Sequence, residues 1–328
     1  MDSNVELPQL SSSQQRYLCT PFNREDILNA LKRMAKKKSP GPDGLTPEFY
    51  LAAWHIIGDE VTNGILYFFD SLHLPNAINS VAITLVPKCE NPSRMEHYRP
   101  ISCCNTLYKC ITKLLAGRMK LVIPSLISHN QTAFIPKRVI GDNIMIVQAL
   151  CKDYHRNDGI PRCAFKLDIH KAFDSLNWDF FFSAMERMLF PAQFILWIKS
   201  CITKCMISIK INGVLEGYFS CKSGLRQGDP LSSYLFVISL EVLTALLAYQ
   251  IQNAEHFSFH WRTDQMKLSH VIFADDLFLF CKGESQSINL LLDAVMQFST
   301  WSGLNLSPSK CRGSVSYTHL TLPTTPYV

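Results

Sequence analysis

The spacing of apolar and polar residues predicts helices in the N-terminal part of the chain. Apolar residues recur at helical spacing after Asn23, and this asparagine can cap the helix with Asp26 as its capping partner. A second helix is predicted over residues 47–72, with a break near Gly58, because proline at the first helical position favours a helix start. The polar, Ser/Gln-rich residues 1–20 predict a disordered leader.

The rest of the chain mixes strand and helix patterns. Apolar runs predict strands over 81–87, 163–169 and 206–211, and two short ones within 270–280. The strictly alternating third strand is followed by Asn212-Gly213, a strong hairpin signal. Helices are predicted over 105–122, from 177, over 231–250 and over 285–302, where Gly303 suits a left-handed C-cap. Helices mixed with hairpin strands favour an α+β fold rather than a doubly wound sheet.

Composition indicates a packed globular protein. Of its 328 residues 47% are hydrophobic and 18% charged, enough for two modest domains or one two-lobed domain. The mean hydropathy of +0.06 is high for a free-standing enzyme and suggests surfaces that are covered by something else. The predicted organisation is a leader (1–20), an N-terminal helical extension (21–80), a main domain (81–313) and a tail (314–328).

Two clusters of basic residues say more about possible partners than the mild net charge of +5 does. The first cluster consists of Lys32, Arg33, Lys36, Lys37 and Lys38, and the second of Lys109, Lys113, Arg118 and Lys120. A basic run is most often a solvated helix face, so these clusters permit a polyanionic partner without establishing one. If that partner is a nucleic acid, Lys36, Lys37, Lys113 and Arg118 are candidates for lining its path.

The twelve cysteines contain no C-x-x-C spacing, and no signal peptide is recognisable. They are therefore interpreted as reduced thiols of an intracellular protein, nuclear or cytoplasmic and not secreted. His256 and His260 lie in a segment that alternates like a strand, which disfavours a zinc site. No apolar run is judged long enough to span a bilayer, so no membrane partner is expected.

The most informative chemistry is a pair of adjacent acids inside an apolar hairpin. Asp275 and Asp276 are flanked by apolar residues, and Asp168 ends another apolar strand. Burying adjacent carboxylates costs several kcal/mol unless a cation neutralises them. Three carboxylates on neighbouring strand ends would form an oxygen-rich site for two Mg²⁺ ions, with Mn²⁺ as a substitute. The alternative is an exposed turn, although this turn lacks Gly and Asn.

Seven segments in order resemble the reverse transcriptases of LINE-type (non-LTR) retrotransposons, especially plant members, over residues 20–312. The segments are KSPGPDGLTPEFY, LVPKCENPSRMEHYRPIS, QTAFIPKRVIGDN, FKLDIHKAFDSLNW, GLRQGDPLSSYLF, FADDLFLF and FSTWSGLNLSPSK. The resemblance implies an RNA-directed DNA polymerase with right-hand fingers and palm, in which helices back an antiparallel palm sheet. It implies as partners an RNA template, a DNA primer, dNTPs and the element RNA.

The resemblance also implies roles for individual residues. Asp168 and Asp275 would be the principal metal ligands, with Asp276 as the third acid. Phe173 would be the aromatic gate against a ribose 2′-hydroxyl, and core packing is the alternative. Lys310 would be the general acid for pyrophosphate, or simply an exposed charge.

Four further residues would contact the incoming nucleotide. Gln227 and Gly228 match the pair beside the nascent base pair, where glycine permits close backbone approach. Lys88 and Arg99 match the cations that clamp the triphosphate. Arg226 and Asp229 are expected to fix the loop around Gln227, and Asp174 is expected to be structural.

The sequence departs from the family pattern at His170, Ser223 and Ser233. None of these residues is a presumed metal ligand. Residues 314–328 abandon the pattern and resemble an artefactual tail, so thumb and endonuclease regions of a parent polyprotein are expected to be missing. We therefore expect weak, distributive extension from this polypeptide.

Three other interpretations of the sequence remain open. A catalytically weak or inactive reverse-transcriptase-like fragment that only binds nucleic acid would be expected to have lost an acid, and all three are present. A nucleotide cyclase would not need the GLRQGDP loop. A group II intron maturase would show a downstream maturase domain.

Overall fold

The computed structural model describes residues 2–152 and 161–315. Its helices are α1 (Ser12–Leu18), α2 (Arg24–Lys32), α3 (Pro47–Ala52), α4 (Trp54–Ser71), α5 (Asn76–Asn79), α6 (Thr106–Leu126), α7 (Ile140–Cys151), α8 (Ala172–Ser175), α9 (Trp178–Arg187), α10 (Ala192–Ile202), α11 (Ser232–Asn253) and α12 (Ser285–Ser302). Its strands are β1 (Ser80–Pro87), β2 (Tyr98–Cys104), β3 (Arg162–Asp168), β4 (Met206–Ile211), β5 (Val214–Ser220), β6 (His270–Phe273), β7 (Asp276–Lys282) and β8 (Arg312–Val315). The predicted α+β class is confirmed. The predicted tail lies outside the described residues from position 316 onward.

The chain forms two compact units. The first unit comprises Met1–Gln9, Ile123–Met188 and Phe236–Val328, and the second comprises Leu10–Val122 and Leu189–Leu235. Each unit contains one four-stranded sheet. The candidate acids lie in the first unit, so each unit is described separately.

The sheet of the first unit has the order β6-β7-β3-β8, and every pairing in it is antiparallel. Side chains alternate between the faces of a strand, and the face that contains Phe165, Leu167, Leu277 and Leu279 is buried. The helix α12 contacts β7 and α9. It ends at Gly303, where φ is +74° and a Cβ atom would lie 2.7 Å from the Ser175 carbonyl oxygen, so the predicted C-cap is confirmed.

The sheet of the second unit has the order β2-β1-β4-β5, with a parallel β1–β4 pair between two antiparallel pairs. Asn212 and Gly213 both have positive φ between β4 and β5, which confirms the predicted hairpin. The edge strand β5 is exposed along its whole length. The capping box of Asn23 and Asp26 at the start of α2 is also confirmed.

Two local expectations are wrong. The helical segment after Thr46 breaks at Ala53, between α3 and α4, and not near Gly58. Gly58 instead lies buried inside α4, where a Cβ atom would come within 3.0 Å of the Trp54 ring. The predicted leader is not disordered over its described residues 2–20, because Ser11 and Gln14 form a capping box on α1 and Val5 and Leu18 are fully buried.

The helix α11 corrects the expectation about apolar runs. Among the described residues it is the one helix long and apolar enough to cross a membrane, judged by length and composition. However, 67% of its apolar window is buried inside the protein, as in the core helix of a packed domain. Its apolar length is therefore accounted for by packing.

Candidate active site

Two of the three predicted acids are direct neighbours across the sheet of the first unit. Asp168, the last residue of β3, is paired with Asp276, the first residue of β7. Directly opposite residues of an antiparallel pair project to the same face, with Cβ atoms about 5 Å apart. The far end of this face is buried at Ala164 and Phe280, whereas both carboxylates remain partly exposed. The register therefore brings two negative charges together at the end of the strand pair.

The third acid lies in the turn that precedes β7. Phe273 pairs with Asp276, so Ala274 and Asp275 form a two-residue loop. Ala274 has a left-handed φ of +52°, a conformation that usually requires glycine. Such strain costs about 1–3 kcal/mol and is concentrated at functional sites. The turn holds Asp275 beside the other two acids without a glycine.

The electrostatics of Asp275 indicate crowding of negative charge. Its pKa is raised, first by partial burial and then by the carboxylates of Asp276 and Asp168, while Lys310 opposes the shift. The three acids thus interact as one group, called here the acid cluster.

Two lysines neutralise part of the acid cluster. The Lys310 ammonium lies 3.1 Å from Asp168 Oδ1 and 3.4 Å from Oδ2, and the Lys166 ammonium lies 2.9 Å from Asp276 Oδ1. Lys310, a predicted site residue, therefore forms an ion pair with the predicted ligand Asp168. Its role as a general acid stays a prediction. Lys166 was missed by the sequence reasoning. The period of two in β3 would have placed it on the same face as Asp168.

Backbone contacts hold the segment of Lys310 against β3. Ser307 donates from its backbone N–H to the Asp168 carbonyl oxygen at 2.8 Å, and His170 donates in the same way to Asn305 at 2.8 Å. The turn then closes with a bond from the Lys310 N–H to the Ser307 carbonyl oxygen at 3.0 Å. Lys310 is thus positioned by the end of β3 itself.

Phe173 lies on the short helix α8, directly after the acid-bearing end of β3. Its ring stacks on Phe236 of α11, with centroids 4.9 Å apart and an interplanar angle of 24°. The preceding Lys171 has a left-handed φ of +44°, which sets the start of α8. The stack is consistent with a fixed ring, and the gate role stays a prediction.

The predicted Gln227–Gly228 pair lies in the second unit, in a loop that docks on β2. The Ser102 N–H donates to the Gln227 carbonyl oxygen at 2.9 Å. Gly228 has a φ of +107°, and a Cβ atom there would contact the Ser102 carbonyl oxygen at 3.4 Å. A side chain at position 228 would thus be strained, which explains the need for glycine in this loop.

The flanks of this loop are held by buried charged groups. The Arg226 guanidinium lies 4.0 Å from the centroid of the Tyr108 ring and donates to Asn79 Oδ1 and to the Cys201 carbonyl oxygen. Asp229 is buried and accepts from the Ser232 hydroxyl at 3.3 Å. Burial raises the pKa of Asp229, while bonding to Thr112 and the charge of Arg226 oppose the rise. We call Tyr108, Arg226 and Asp229 the loop anchor.

Lys88 and Arg99, which are predicted to bind the triphosphate, lie on the β1–β2 hairpin of the second unit. Val86 pairs with Arg99, and the Lys88 N–H bonds the His97 carbonyl oxygen at 2.7 Å. By alternation, Lys88 and Arg99 project from the same face of this hairpin. The Lys88 ammonium bonds the Glu96 carbonyl oxygen at 2.8 Å, and Arg99 is exposed.

The four residues of the predicted nucleic-acid path differ from one another. Lys36 and Lys37 are exposed. Lys113 instead donates to the Arg33 carbonyl oxygen at 2.9 Å, and its pKa is lowered by burial and then by Arg33. Arg118 lies over the Tyr17 and Phe22 rings and bonds the Thr20 carbonyl oxygen. Lys113 and Arg118 therefore serve internal packing, and their role in a path is less supported than that of Lys36 and Lys37.

Comparison with known proteins identifies the family. The chain matches the family described as reverse transcriptase (RNA-dependent DNA polymerase) over residues 86–322 and belongs to it. It is 28% identical over 273 residues to the transposon TX1 uncharacterized 149 kDa protein of Xenopus laevis, covering 83% of this chain and 20% of that protein.

Two further relatives are Drosophila melanogaster proteins. The chain is 28% identical over 311 residues to the Pol polyprotein of the retrotransposable element R2DM, covering 93% of this chain and 27% of the relative. It is 22% identical over 325 residues to the RNA-directed DNA polymerase from mobile element jockey, covering 90% and 33%. The prediction of a non-LTR retrotransposon reverse transcriptase is confirmed, and the plant-like assignment stays a prediction. The chain spans about a fifth to a third of the length of these relatives.

Reverse transcriptases generally use divalent metal ions, and the acid cluster fits them in chemistry. Carboxylate oxygens are the ligands that Mg²⁺ prefers, and two of these acids already attract ammonium groups. Among residues 2–152 and 161–315, however, no three metal-binding side chains converge on one point. The cluster therefore has suitable donors, two of which are paired with lysines in this structure.

Proposed function

We propose that this chain is the polymerase domain of a retrotransposon reverse transcriptase, which adds dNTPs to a primer 3′-hydroxyl on an RNA template. The supporting observation is the acid cluster, with Asp168 directly opposite Asp276 and Asp275 in the adjoining turn. Family membership and the names of the relatives support the same reaction. A right-hand arrangement of fingers and palm is part of this proposal.

The acid cluster would hold two Mg²⁺ ions, or Mn²⁺ in their place. Asp168 and Asp275 would be the principal ligands, with Asp276 as the third acid. When bound, the ions lower the pKa of the attacking hydroxyl and stabilise charge on the pyrophosphate that leaves. Lys310 is bonded to Asp168 and so lies at the edge of this site, where its ammonium can donate a proton to pyrophosphate.

The remaining candidates would bind and select the nucleotide. Lys88 and Arg99 project from one face of a hairpin and would bind the triphosphate. By the family resemblance Gln227 and Gly228 would lie beside the nascent base pair, and the hydrogen bond from Ser102 would hold their loop in place. By the same resemblance Phe173 would exclude a ribose 2′-hydroxyl, and its stack on Phe236 would restrict the ring.

The proposed partners follow from this reaction. They are an RNA template, a DNA primer, dNTPs and the element RNA, with Lys36 and Lys37 as exposed cations for the template backbone. The relatives are longer proteins, one of them a Pol polyprotein, so further regions of a parent protein are part of the proposal. All twelve cysteines are free, which supports an intracellular location in nucleus or cytoplasm.

Primer extension tests the proposal. The purified chain is incubated with oligo(dT) on poly(rA), dTTP and Mg²⁺, and the reaction is repeated without template and with EDTA. We expect extension that needs both the template and the metal ion, and that disappears in Asp275→Asn. Asp174→Asn is the matched control, because Asp174 is an exposed acid on α8 of the same unit, and it should reduce extension much less.

Binding without extension would contradict the polymerase proposal. If the wild-type chain binds a fluorescent RNA–DNA hybrid but does not extend the primer at any metal concentration, the chain is a nucleic-acid-binding fragment. Fluorescence anisotropy, recorded on the same preparation, separates that outcome from loss of the folded protein.

A further inference from the structure

We propose that Lys166 is the permanent counter-charge of Asp276 and thereby limits how tightly the acid cluster binds a divalent cation. This inference rests on the proposed function, because it concerns the same metal site. The three acids then have two different roles. This revises the ligand set of the proposed function, because Asp168 and Asp275 bind the cation while Asp276 is occupied by Lys166. Lys166 would be a positioning residue that acts through Asp276.

The position of Lys166 on β3 supports this assignment. Lys166 precedes Asp168 by two residues and so projects to the same face, and its cross-strand partner is Phe278. Its ammonium lies 2.9 Å from Asp276 Oδ1 and 5.7 Å from the centroid of the Phe278 ring. Because both residues belong to paired strands, the register of the sheet places Lys166 diagonally from Asp276.

The other lysine, Lys310, is more exposed than Lys166 and lies on a loop instead of a strand. The Lys310 side chain is 65% exposed and lies on a loop, whereas that of Lys166 is 43% exposed and lies on a central strand. A cation that approaches Asp168 can displace Lys310 into solvent. Lys166 stays against Phe278, so its charge persists beside any bound cation.

The charges of the acid cluster predict that affinity for a divalent cation rises when the Lys166 charge is removed. Three carboxylates face two ammonium groups, which leaves a single excess negative charge. Removal of the Lys166 charge would raise this excess and strengthen the attraction for a divalent cation. For partly exposed charges at this separation the effect should be roughly tenfold in affinity.

Direct Mn²⁺ binding provides the test. Mn²⁺ is titrated into the 328-residue chain, its variants Lys166→Met and Lys166→Arg, and the control Lys282→Met. Electron paramagnetic resonance measures the Mn²⁺ that remains unbound. Lys282 also forms an ion pair on β7, with Glu284, at the opposite end of that strand. We expect roughly tenfold tighter binding for Lys166→Met alone. Unchanged affinity in Lys166→Met, or an equal gain in Lys282→Met, would overturn the inference.

The double variant Lys166→Met/Asp276→Asn tests the two roles of the acids. If Asp276 only balances Lys166, the double variant should bind Mn²⁺ within about twofold of wild type, since both charges are removed together. If the double variant binds as weakly as Asp168→Asn, Asp276 is itself a metal ligand and the inference is wrong. Lys166→Arg keeps the charge and should bind as wild type does, and tighter binding by this variant would overturn the inference because the charge would then not limit the affinity.

The same titration separates this inference from the proposed function. Wild-type binding that disappears in Asp168→Asn, with no effect of Lys166→Met, would remove the inference and leave the metal site intact. Wild-type binding that is unchanged in Asp168→Asn would overturn both.

Discussion

The acid cluster of the first unit and the loop anchor of the second unit both bring charged residues together, but in different surroundings. In the acid cluster the Lys310 and Lys166 side chains are 65% and 43% exposed, and their partners Asp168 and Asp276 are 18% and 34% exposed. In the loop anchor Asp229 is only 5% exposed, and the Arg226 guanidinium lies against Tyr108.

This difference separates two uses of charge. Exposed ion pairs contribute little to stability, so an exposed partner such as Lys310 can be exchanged for another cation at small cost. A buried charge whose partner is removed is costly, so it fixes the backbone around it. The acid cluster is thus suited to bind and release ligands, and the loop anchor is suited to hold the loop of Gln227 and Gly228 in one conformation. The following substitutions test that contrast, in order of decreasing effect.

Asp168→Asn should abolish primer extension while leaving the fold intact. The loss should be roughly three orders of magnitude or more in kcat, about 4 kcal/mol, because a principal ligand of the catalytic metal is removed. Extension assays measure the rate, and urea unfolding measures the stability, which should change by less than about 1 kcal/mol. Asp174→Asn should do much less to the rate, and an equal loss at both positions would mean that the ligand is misassigned.

Arg226→Met should show the opposite behaviour, with a large loss of stability. Asp229 would remain buried without the opposing charge, at a cost of about 3–5 kcal/mol in the free energy of unfolding. Urea unfolding of the purified chain measures this cost. The control is Arg24→Met, since Arg24 pairs with Asp59 on the surface of the same unit, with side chains 52% and 80% exposed. Equal effects of the two substitutions would remove the distinction between buried and exposed charges.

Glu241→Gln tests whether burial, and not membership of either unit, decides the outcome. This residue lies in the first unit, is 6% exposed and accepts from the Ser128 N–H at 3.0 Å. Burial raises the pKa of Glu241 from 4.5 to about 7. Between these values the folded protein keeps a proton that the unfolded chain releases, so the free energy of unfolding falls as the pH rises through this window.

The substitution should remove that pH dependence and stabilise the protein by up to about 3 kcal/mol above pH 7. Urea unfolding at several pH values from 4 to 8 measures the effect. Glu255→Gln, at an exposed glutamate of the same unit, should leave the pH profile as it is. A wild-type stability that rises from pH 5 to 7, unaltered by Glu241→Gln, would contradict the assignment.

Phe173→Val should change sugar selection and little else. Removal of the ring would open space for a 2′-hydroxyl and reduce discrimination against ribonucleotides by about 1–3 kcal/mol. Competition between dNTP and rNTP in single-nucleotide extension measures the ratio. Phe173→Tyr keeps the ring and should keep the discrimination. If the ratio is unchanged in Phe173→Val, the residue serves only to pack against Phe236.

The sequence by itself determined the features that depend on neighbouring residues. The capping box at Asn23, the Asn212-Gly213 hairpin and the C-cap at Gly303 were predictable, because each depends on backbone bonds within a few positions. The α+β class was predictable for the same reason, since strand and helix periodicities are local. Two sequence predictions were wrong, the disordered leader and the helix break near Gly58. In both segments burial against distant residues overrides a polar or glycine-containing pattern.

The acids were recognisable from the sequence because carboxylates rarely occur in apolar strands. Their partners were decided only by tertiary structure. Asp168 meets Asp276, and Lys166 meets Asp276, through the register of strands that are far apart in the chain. Likewise, Lys113 and Arg118 are partly exposed basic residues that bond carbonyl groups of distant segments. Such contacts depend on which backbones come together in space, and local spacing along the chain does not encode them.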